Sequence, residues 1–155
     1  MMVGLPRSGK STWVRRNGGG AAVICPDDIR KEILGHDFHK PAEDFVWAIA
    51  KFLARVLIPQ GFNVILDATS VTRESRRPWI SLAKSLGAKT KIVFLPTKWK
   101  KCLGRNRGTN RKVPDETIKS MASYFDRPTD GEADEVVIIG RKTEEKAAAC
   151  GRRTV

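Results

Sequence analysis

The chain has 155 residues and a formal net charge of +12, with 29 lysines and arginines against 17 aspartates and glutamates. This length suits one domain whose core needs no disulfides, and the three cysteines (Cys25, Cys102 and Cys150) lack metal-ligand spacing, which predicts a reduced, intracellular protein. No apolar run approaches the ~20 residues that cross a bilayer. We therefore expect a cytoplasmic protein, in the host cytoplasm if it is phage-encoded, with no membrane partner and with a polyanion such as nucleic acid as partner.

Short apolar runs alternate with helical periodicity, which is typical of an α/β protein with a mostly parallel sheet. The predicted strands cover residues 1–3, 21–25, 62–66, 91–95 and 135–139. The predicted helices cover residues 9–16, 27–34, 41–59, 73–86, 99–106 and 115–125. The longest helix is expected to bury a stripe made of Phe45, Ile49, Phe52, Leu53, Val56 and Leu57. We predict a three-layer α/β/α domain of about five strands over residues 1–140, and a basic tail at 141–155 that is a frayed helix or unstructured.

The segment between the first predicted strand and helix matches G-x-x-x-x-G-K-[ST], the loop that binds the phosphates of nucleoside triphosphates. It consists of Gly4, Leu5, Pro6, Arg7, Ser8, Gly9, Lys10 and Ser11, and Thr12 follows. Glycines let the backbone curl so that its N–H groups point at an anion, and the helix start adds a positive end. Lys10 is suited to the β- and γ-phosphates, and the Ser11 hydroxyl to Mg²⁺. The motif predicts binding of ATP through its phosphates, with Mg²⁺.

Acidic side chains follow two other predicted strands, and ligands of open α/β sheets sit beyond the carboxyl ends of the strands. Asp27 follows the second strand, so it is suited to accept a proton as a general base, and it is equally suited to cap the next helix. Arg30, one helical turn later, can hold an acceptor phosphate or pair with Asp27. Asp67 follows the third strand and can hold Mg²⁺ through water, orient an arginine or cap a turn.

Residues 98–112 contain seven basic side chains and no acidic one. They are Lys98, Lys100, Lys101, Arg105, Arg107, Arg111 and Lys112. Such a run is commonly a solvated face of a helix, but beside a phosphate loop it favours a lid, at about residues 97–125. The lid arginines, Arg105, Arg107 and Arg111, are suited to neutralise charge on a transferring phosphoryl group.

Together these segments resemble the 5′-hydroxyl polynucleotide kinase family over about residues 3–140. The resemblance rests on the phosphate loop through Trp13, on Asp27-Asp28-Ile29-Arg30, on Asp67-Ala68-Thr69-Ser70 with the following Arg76-Arg77-x-Trp79, and on the arginines of the lid with Val113-Pro114. The lid differs from the family pattern by one residue in length, so both Arg107 and Arg111 are candidates for the catalytic arginine.

The resemblance implies a role for each candidate residue. Asp27 would be the general base on the 5′-hydroxyl, and Arg30 would contact the acceptor phosphate. Lys10 and a lid arginine would stabilise the transferring phosphoryl group, with Arg105 among the ATP contacts. Asp67 and Thr69 would shape the acceptor pocket.

The resulting hypothesis is an ATP- and Mg²⁺-dependent kinase that acts on the 5′-hydroxyl of DNA or RNA. Two alternatives remain: a kinase for a small hydroxylated metabolite, and a nucleic-acid-binding ATPase that transfers no phosphate. Release of ADP that depends on an acceptor separates the kinases from the ATPase. Stimulation by an oligonucleotide or by a metabolite separates the two kinases.

Overall fold

The computed structural model describes residues 1–35, 38–110 and 113–140, so Arg111 and the predicted tail at 141–155 lie outside the described residues. The five predicted strands are all present, each one or two residues shorter than expected. They are β1 (Met2–Val3), β2 (Ala22–Ile24), β3 (Val64–Leu66), β4 (Lys91–Phe94) and β5 (Glu135–Ile138). Each of the three pairings among the described strands is parallel, and the hydrogen bonds divide the strands into two parts with the orders β1-β4-β5 and β2-β3. The predicted mostly parallel sheet is confirmed.

The helices also follow the prediction closely. They are α1 (Lys10–Asn17), α2 (Pro26–Ile29), α3 (Glu43–Leu57), α4 (Arg73–Ser85), α5 (Trp99–Arg107) and α6 (Asp115–Ser123). The predicted helix at 27–34 is instead two pieces, because the four-residue α2 continues as a π-helical segment at Arg30–Leu34. A 3-10 turn at Lys40–Ala42 precedes α3. Within the described parts of the chain, no helix has the length and apolar character needed to cross a membrane.

Helices cover both faces of the sheet, as the alternation of side chains along β1 shows. Met2 packs with Val14 of α1 on one face. Val3 and Ile92 pack with Ile80 of α4 on the other face. Successive residues of a strand point to opposite faces, so a short strand buried between helices reads as a continuous apolar run. The arrangement is the three-layer architecture that the sequence predicts.

The apolar stripe predicted for α3 is wrong for half of its members, whereas Leu53 packs against the core and Ile49 and Leu57 are half-buried. Three of its large side chains are instead exposed, by 38 to 62%: Phe45, Phe52 and Val56. The side chains that α3 buries are Val46, Ala50 and Ala54. Their spacing of four residues makes one narrow face, and small side chains allow the helix to lie close to Ile24 and Leu66 of the β2-β3 ladder. A helix that is apolar around most of its circumference has no unique stripe, so the larger residues misled the prediction.

Candidate active site

The phosphate loop joins β1 to α1 and has the curled backbone that the motif predicts. The backbone φ angle is 154° at Gly4 and 109° at Gly9, values that favour glycine. Arg7 also has a positive φ, of 65°. The N–H of Ser8 donates to the carbonyl of Leu5 at 3.1 Å, which closes the turn. The loop therefore has the conformation in which successive backbone N–H groups line a concave site.

Gly4 lies where no side chain fits. A Cβ atom at this position would be 2.7 Å from Oγ of Ser8 and 3.1 Å from the carbonyl oxygen of Leu95. Oγ of Ser8 is itself buried and has no hydrogen-bond partner among the described residues. A buried hydroxyl without a partner is uncommon in folded proteins. A glycine that admits no side chain and a hydroxyl without a partner in the described part of the chain both suit a loop that wraps closely around a phosphate. These residues therefore fit the predicted ligand.

Replacing Gly4 by Ala should weaken binding of a non-hydrolysable ATP analogue by about 100-fold, since the backbone of the loop must shift to admit the methyl group. Isothermal titration measures the affinity. The matched control is Gly87→Ala, where φ is also positive, at 76°, but where no described residue beyond the two chain neighbours lies within 4 Å of the added Cβ. That variant carries the backbone strain alone and should bind the analogue as the wild type does. Equal affinities for both variants would contradict the assigned role of the loop.

Lys10 is buried at the start of α1, with 8% of its surface exposed. Its Nζ donates to the carbonyl oxygens of Gly4 and Leu5, at 2.9 Å each. Burial lowers the pKa of Lys10 from 10.5 to about 8, while the charges of Asp67 and Asp27 act in the opposite direction. Hydrogen bonds from Gly4 to Thr69 and from Asp67 to Ile24 bring the carboxyl ends of β1, β2 and β3 to one edge, as the sequence predicts.

A groove of about 950 Å³ runs from the loop along α1 to α5. Six of the predicted ATP contacts in the loop line it: Arg7, Ser8, Gly9, Lys10, Ser11 and Thr12. Among the described residues, the lining contains seven basic side chains and no acidic one. The groove is open to solvent and strongly cationic, which suits a nucleoside triphosphate. Gly4, Leu5 and Pro6 do not line this groove, and Leu5 packs in the core with α5 and α6.

The predicted lid consists of α5 and α6, and one of its arginines reaches the phosphate loop. NH1 of Arg105 donates to the carbonyl oxygens of Arg7 and Ser8, at 3.1 and 2.9 Å. Arg107 is exposed at the end of α5 and does not line the groove. Arg105, predicted both as an ATP contact and as one of the three lid arginines, is therefore the described lid arginine that touches the phosphate loop.

The second predicted part of the site lies at the end of β2. Asp27 accepts a hydrogen bond from NH1 of Arg30 at 2.5 Å. The alternative that Asp27 caps a helix is wrong, because the N-terminal cap of α2 is Cys25, whose side chain makes no capping hydrogen bond. Of the two alternatives for Arg30, the structure shows the ion pair with Asp27. Asp27 itself remains well exposed, which suits a group that must reach a substrate.

Glu43, at the start of α3, is a residue of this site that the sequence analysis missed. Its two carboxylate oxygens accept from Nε and NH2 of Arg30, both at 2.6 Å. This two-point pair raises the pKa of Arg30, and it holds the guanidinium in one orientation. Three of the five N–H groups of Arg30 are thereby used, which leaves two for an acceptor. Residues 30 and 43 lie on separate elements, and no sequence pattern connects them.

Glu43→Ala is expected to lower the free energy of unfolding by about 2 kcal/mol, because it removes the main partner of a nearly buried guanidinium. Urea unfolding measures the change. Glu116→Ala is the matched control, since it breaks the exposed pair with Lys119 at 2.7 Å. The control should unfold as the wild type does. If both variants unfold alike, Glu43 does not hold Arg30 in solution.

Asp67 and Thr69 follow β3 at the same edge. Asp67 is buried, and its N–H donates to the carbonyl of Ile24 at 2.9 Å. The carbonyl of Thr69 accepts from the N–H of Gly4 at 3.0 Å, which joins the two ladders beside the phosphate loop. Within the described ranges, no group of three or more His, Cys, Asp or Glu could hold a metal ion. The protein groups at hand for Mg²⁺ are the Ser11 hydroxyl, which lines the groove, and the carboxylate of Asp67 through water.

Comparison with known proteins identifies a family. The model of the AAA domain family matches residues 1–128. The chain is 29% identical over 136 residues to an L-seryl-tRNA(Sec) kinase of Methanococcus maripaludis, which covers 83% of this chain and 52% of that protein. The chain thus spans about half the length of this curated relative.

Solved structures of kinases share the fold. The Pnkp1/Rnl/Hen1 RNA repair complex contains a chain that matches with a TM-score of 0.71 at 21% identity, over 79% of this chain and 42% of that one. The APS kinase CysC of Mycobacterium tuberculosis, solved in complex with AMPPNP and APS, matches with a TM-score of 0.61 at 23% identity, over 95% and 91% of the two chains. At these identities the comparisons show the fold alone, which is that of the P-loop kinases.

Proposed function

The chain belongs to the AAA domain family, and from this premise we propose that it is an ATP- and Mg²⁺-dependent kinase that phosphorylates the 5′-hydroxyl of DNA or RNA. The observation that carries the proposal is the exposed Asp27 carboxylate, which Arg30 holds just after β2, at the edge where the segment after β3 bonds to the phosphate loop. A kinase needs a base for the acceptor hydroxyl beside the cations that bind the phosphates. This edge of the sheet provides both.

The residues have distinct roles in the proposed reaction. The phosphate loop and Lys10 bind the β- and γ-phosphates, and Arg105 approaches from α5. Mg²⁺, when bound, neutralises charge on the phosphates, and the Ser11 hydroxyl is its first protein ligand. Asp27 accepts the proton of the acceptor hydroxyl. Arg30 holds Asp27 in place and uses its remaining N–H groups for an acceptor phosphate.

Two features support a nucleic acid as the acceptor. The net charge of +12 favours a polyanion. Two of the similar proteins are named for RNA: one is a kinase for a serine attached to tRNA, and the other lies in an RNA repair complex. The APS kinase is named for a small acceptor, and this chain spans nearly the whole of it. A small-acceptor kinase is accordingly the second candidate.

The test is transfer of labelled phosphate from γ-labelled ATP to three acceptors: an oligonucleotide with a 5′-hydroxyl, seryl-tRNA and adenosine 5′-phosphosulfate. The same oligonucleotide with a 5′-phosphate is the matched control, because it has the same sequence and the same internucleotide phosphates but no free 5′-hydroxyl. We expect label on the 5′-hydroxyl oligonucleotide alone. Label on seryl-tRNA or on adenosine 5′-phosphosulfate would mean that this compound, rather than the oligonucleotide, is the substrate. Formation of ADP without labelling of any acceptor would mean an ATPase.

A further inference from the structure

Arg76 lies on α4 and is completely buried, yet no role in the reaction is assigned to it. Its Nε and NH2 donate to the two carboxylate oxygens of Glu132, at 2.5 and 3.2 Å. Its NH1 donates to two backbone carbonyls, those of Ser70 at 3.1 Å and Asp126 at 2.9 Å. The guanidinium therefore joins three separate segments of the chain. A planar fork with five donors can do this, whereas an ammonium group cannot.

The first of these carbonyls belongs to the loop that carries the predicted acceptor residues. Ser70 has a positive φ of 46°, a conformation that costs about 1 kcal/mol or more for a residue with a side chain. Such a turn persists only where its surroundings hold it. One residue earlier, the carbonyl of Thr69 bonds to Gly4 of the phosphate loop. A shift of Ser70 would therefore move the loop that follows Asp67, together with the hydrogen bond that this loop makes to Gly4.

The second carbonyl belongs to the segment that leaves the lid. Asp126 comes just after α6, and its N–H donates to the carbonyl of Val71 at 2.9 Å. Its carboxylate accepts from the N–H of Arg73 at 3.2 Å. Arg76 thus lies next to the contact between the segment that follows the lid and the loop that follows β3. The same guanidinium fixes both sides of that contact.

We propose that Arg76, held by Glu132, is a positioning residue that sets the loop of residues 67–71 and its register against the exit of the lid. It touches neither substrate, and it acts through the Ser70 and Asp126 carbonyls on Asp67 and Thr69. The inference rests on the proposed phosphotransfer for its kinetic consequence, whereas the hydrogen-bond arrangement exists independently of the acceptor.

The competing explanation is that Arg76 and Glu132 only stabilise the fold, and two variants separate the explanations. Arg76→Met/Glu132→Leu removes both charges together, a change that often preserves stability, whereas removing one leaves a buried charge unpaired. Arg76→Lys keeps a charge opposite Glu132 but cannot span the two carbonyls. The matched control is Lys91→Met/Glu135→Leu, which removes an exposed ion pair of 2.9 Å between β4 and β5.

We expect both Arg76 variants to fold and to lower kcat for phosphate transfer by about 10- to 100-fold. Their KM for ATP should stay within about threefold of the wild type. The control should match the wild type in both constants. Hydrogen exchange should also quicken in the Arg76 variants, at the amides of Gly4 and Asp126, because their acceptor carbonyls lie in the released loop.

A kcat within twofold of the wild type in folded Arg76 variants would overturn the proposal. Should the wild type phosphorylate none of the acceptors, the proposed function fails by itself, and amide exchange becomes the test of Arg76. Faster exchange at Gly4 and Asp126 would then support the positioning role. Unchanged exchange would refute it.

Discussion

The Asp27→Asn variant should transfer phosphate to a 5′-hydroxyl oligonucleotide about 10³-fold more slowly than the wild type, within the range of 10² to 10⁴ typical of a lost general base. Asn has nearly the same size, and its amide oxygen can still accept the hydrogen bond that Arg30 donates to Asp27 at 2.5 Å. The variant thus keeps the local geometry and loses only the basic oxygen. The measurement is the rate of labelling at saturating ATP.

Asp28→Asn is the matched control for this prediction. Asp28 lies in the same turn of α2 and is exposed, and removal of its charge changes the local electrostatics in a similar way. We expect its transfer rate to stay within about threefold of the wild type. ATP should bind both variants with equal affinity, because the phosphate loop is untouched. If Asp27→Asn retains more than a tenth of the wild-type rate, another group takes the proton.

The phosphate loop could be predicted because its chemistry is local. Gly4, Gly9 and Lys10 lie within a single short segment of the sequence, and each has a conformational or electrostatic reason to be there. The position of Asp27 and Asp67 at the same edge also followed from the sequence, since short apolar runs locate the strands and parallel strands end together. Each of these inferences can be made from short segments of the sequence taken one at a time.

The parts that sequence analysis missed depend on pairs of distant residues. Glu43 lies 13 positions from Arg30, and Glu132 lies 56 positions from Arg76. Their partners are fixed by how helices dock on the sheet, which periodicity does not encode. The wrong stripe of α3 has a related cause. Its buried alanines contribute little hydrophobicity, but they permit the close approach to the β2-β3 ladder that the large exposed side chains would prevent.

Lys10→Met should lower the transfer rate by about 10³-fold, because the ammonium group is the cation of the loop suited to charge developing on the transferring phosphoryl group. Met fills a similar volume without the charge. Lys84→Met, which removes an exposed charge from α4, is the control and should leave the rate unchanged. A Lys10→Met rate within tenfold of the wild type would mean that another cation, such as Arg105, stabilises the charge on the transferring phosphoryl group.

The same variant is expected to be more stable than the wild type at pH 7, even though it is nearly inactive. A pKa lowered by burial from 10.5 to about 8 means that the folded chain holds the charged amine at a disadvantage of about 3 kcal/mol. The carbonyls of Gly4 and Leu5 lose their donor in the variant, which reduces the net gain to about 1–2 kcal/mol. Urea unfolding at pH 7 measures this difference.

The pH dependence of that difference identifies its origin. Between pH 8 and pH 10.5 the unfolded wild type keeps a proton on Lys10 that the folded chain has released, so wild-type stability gains from this group as the pH rises. Lys10→Met lacks the group, and its advantage over the wild type should shrink across this range. A stability difference that is the same at pH 7 and pH 10 would contradict a buried, charged Lys10. The expected pattern means that the loop holds a charge at a cost to the fold. An anion beside a buried amine favours its protonated form, so we expect a bound phosphate to offset that cost.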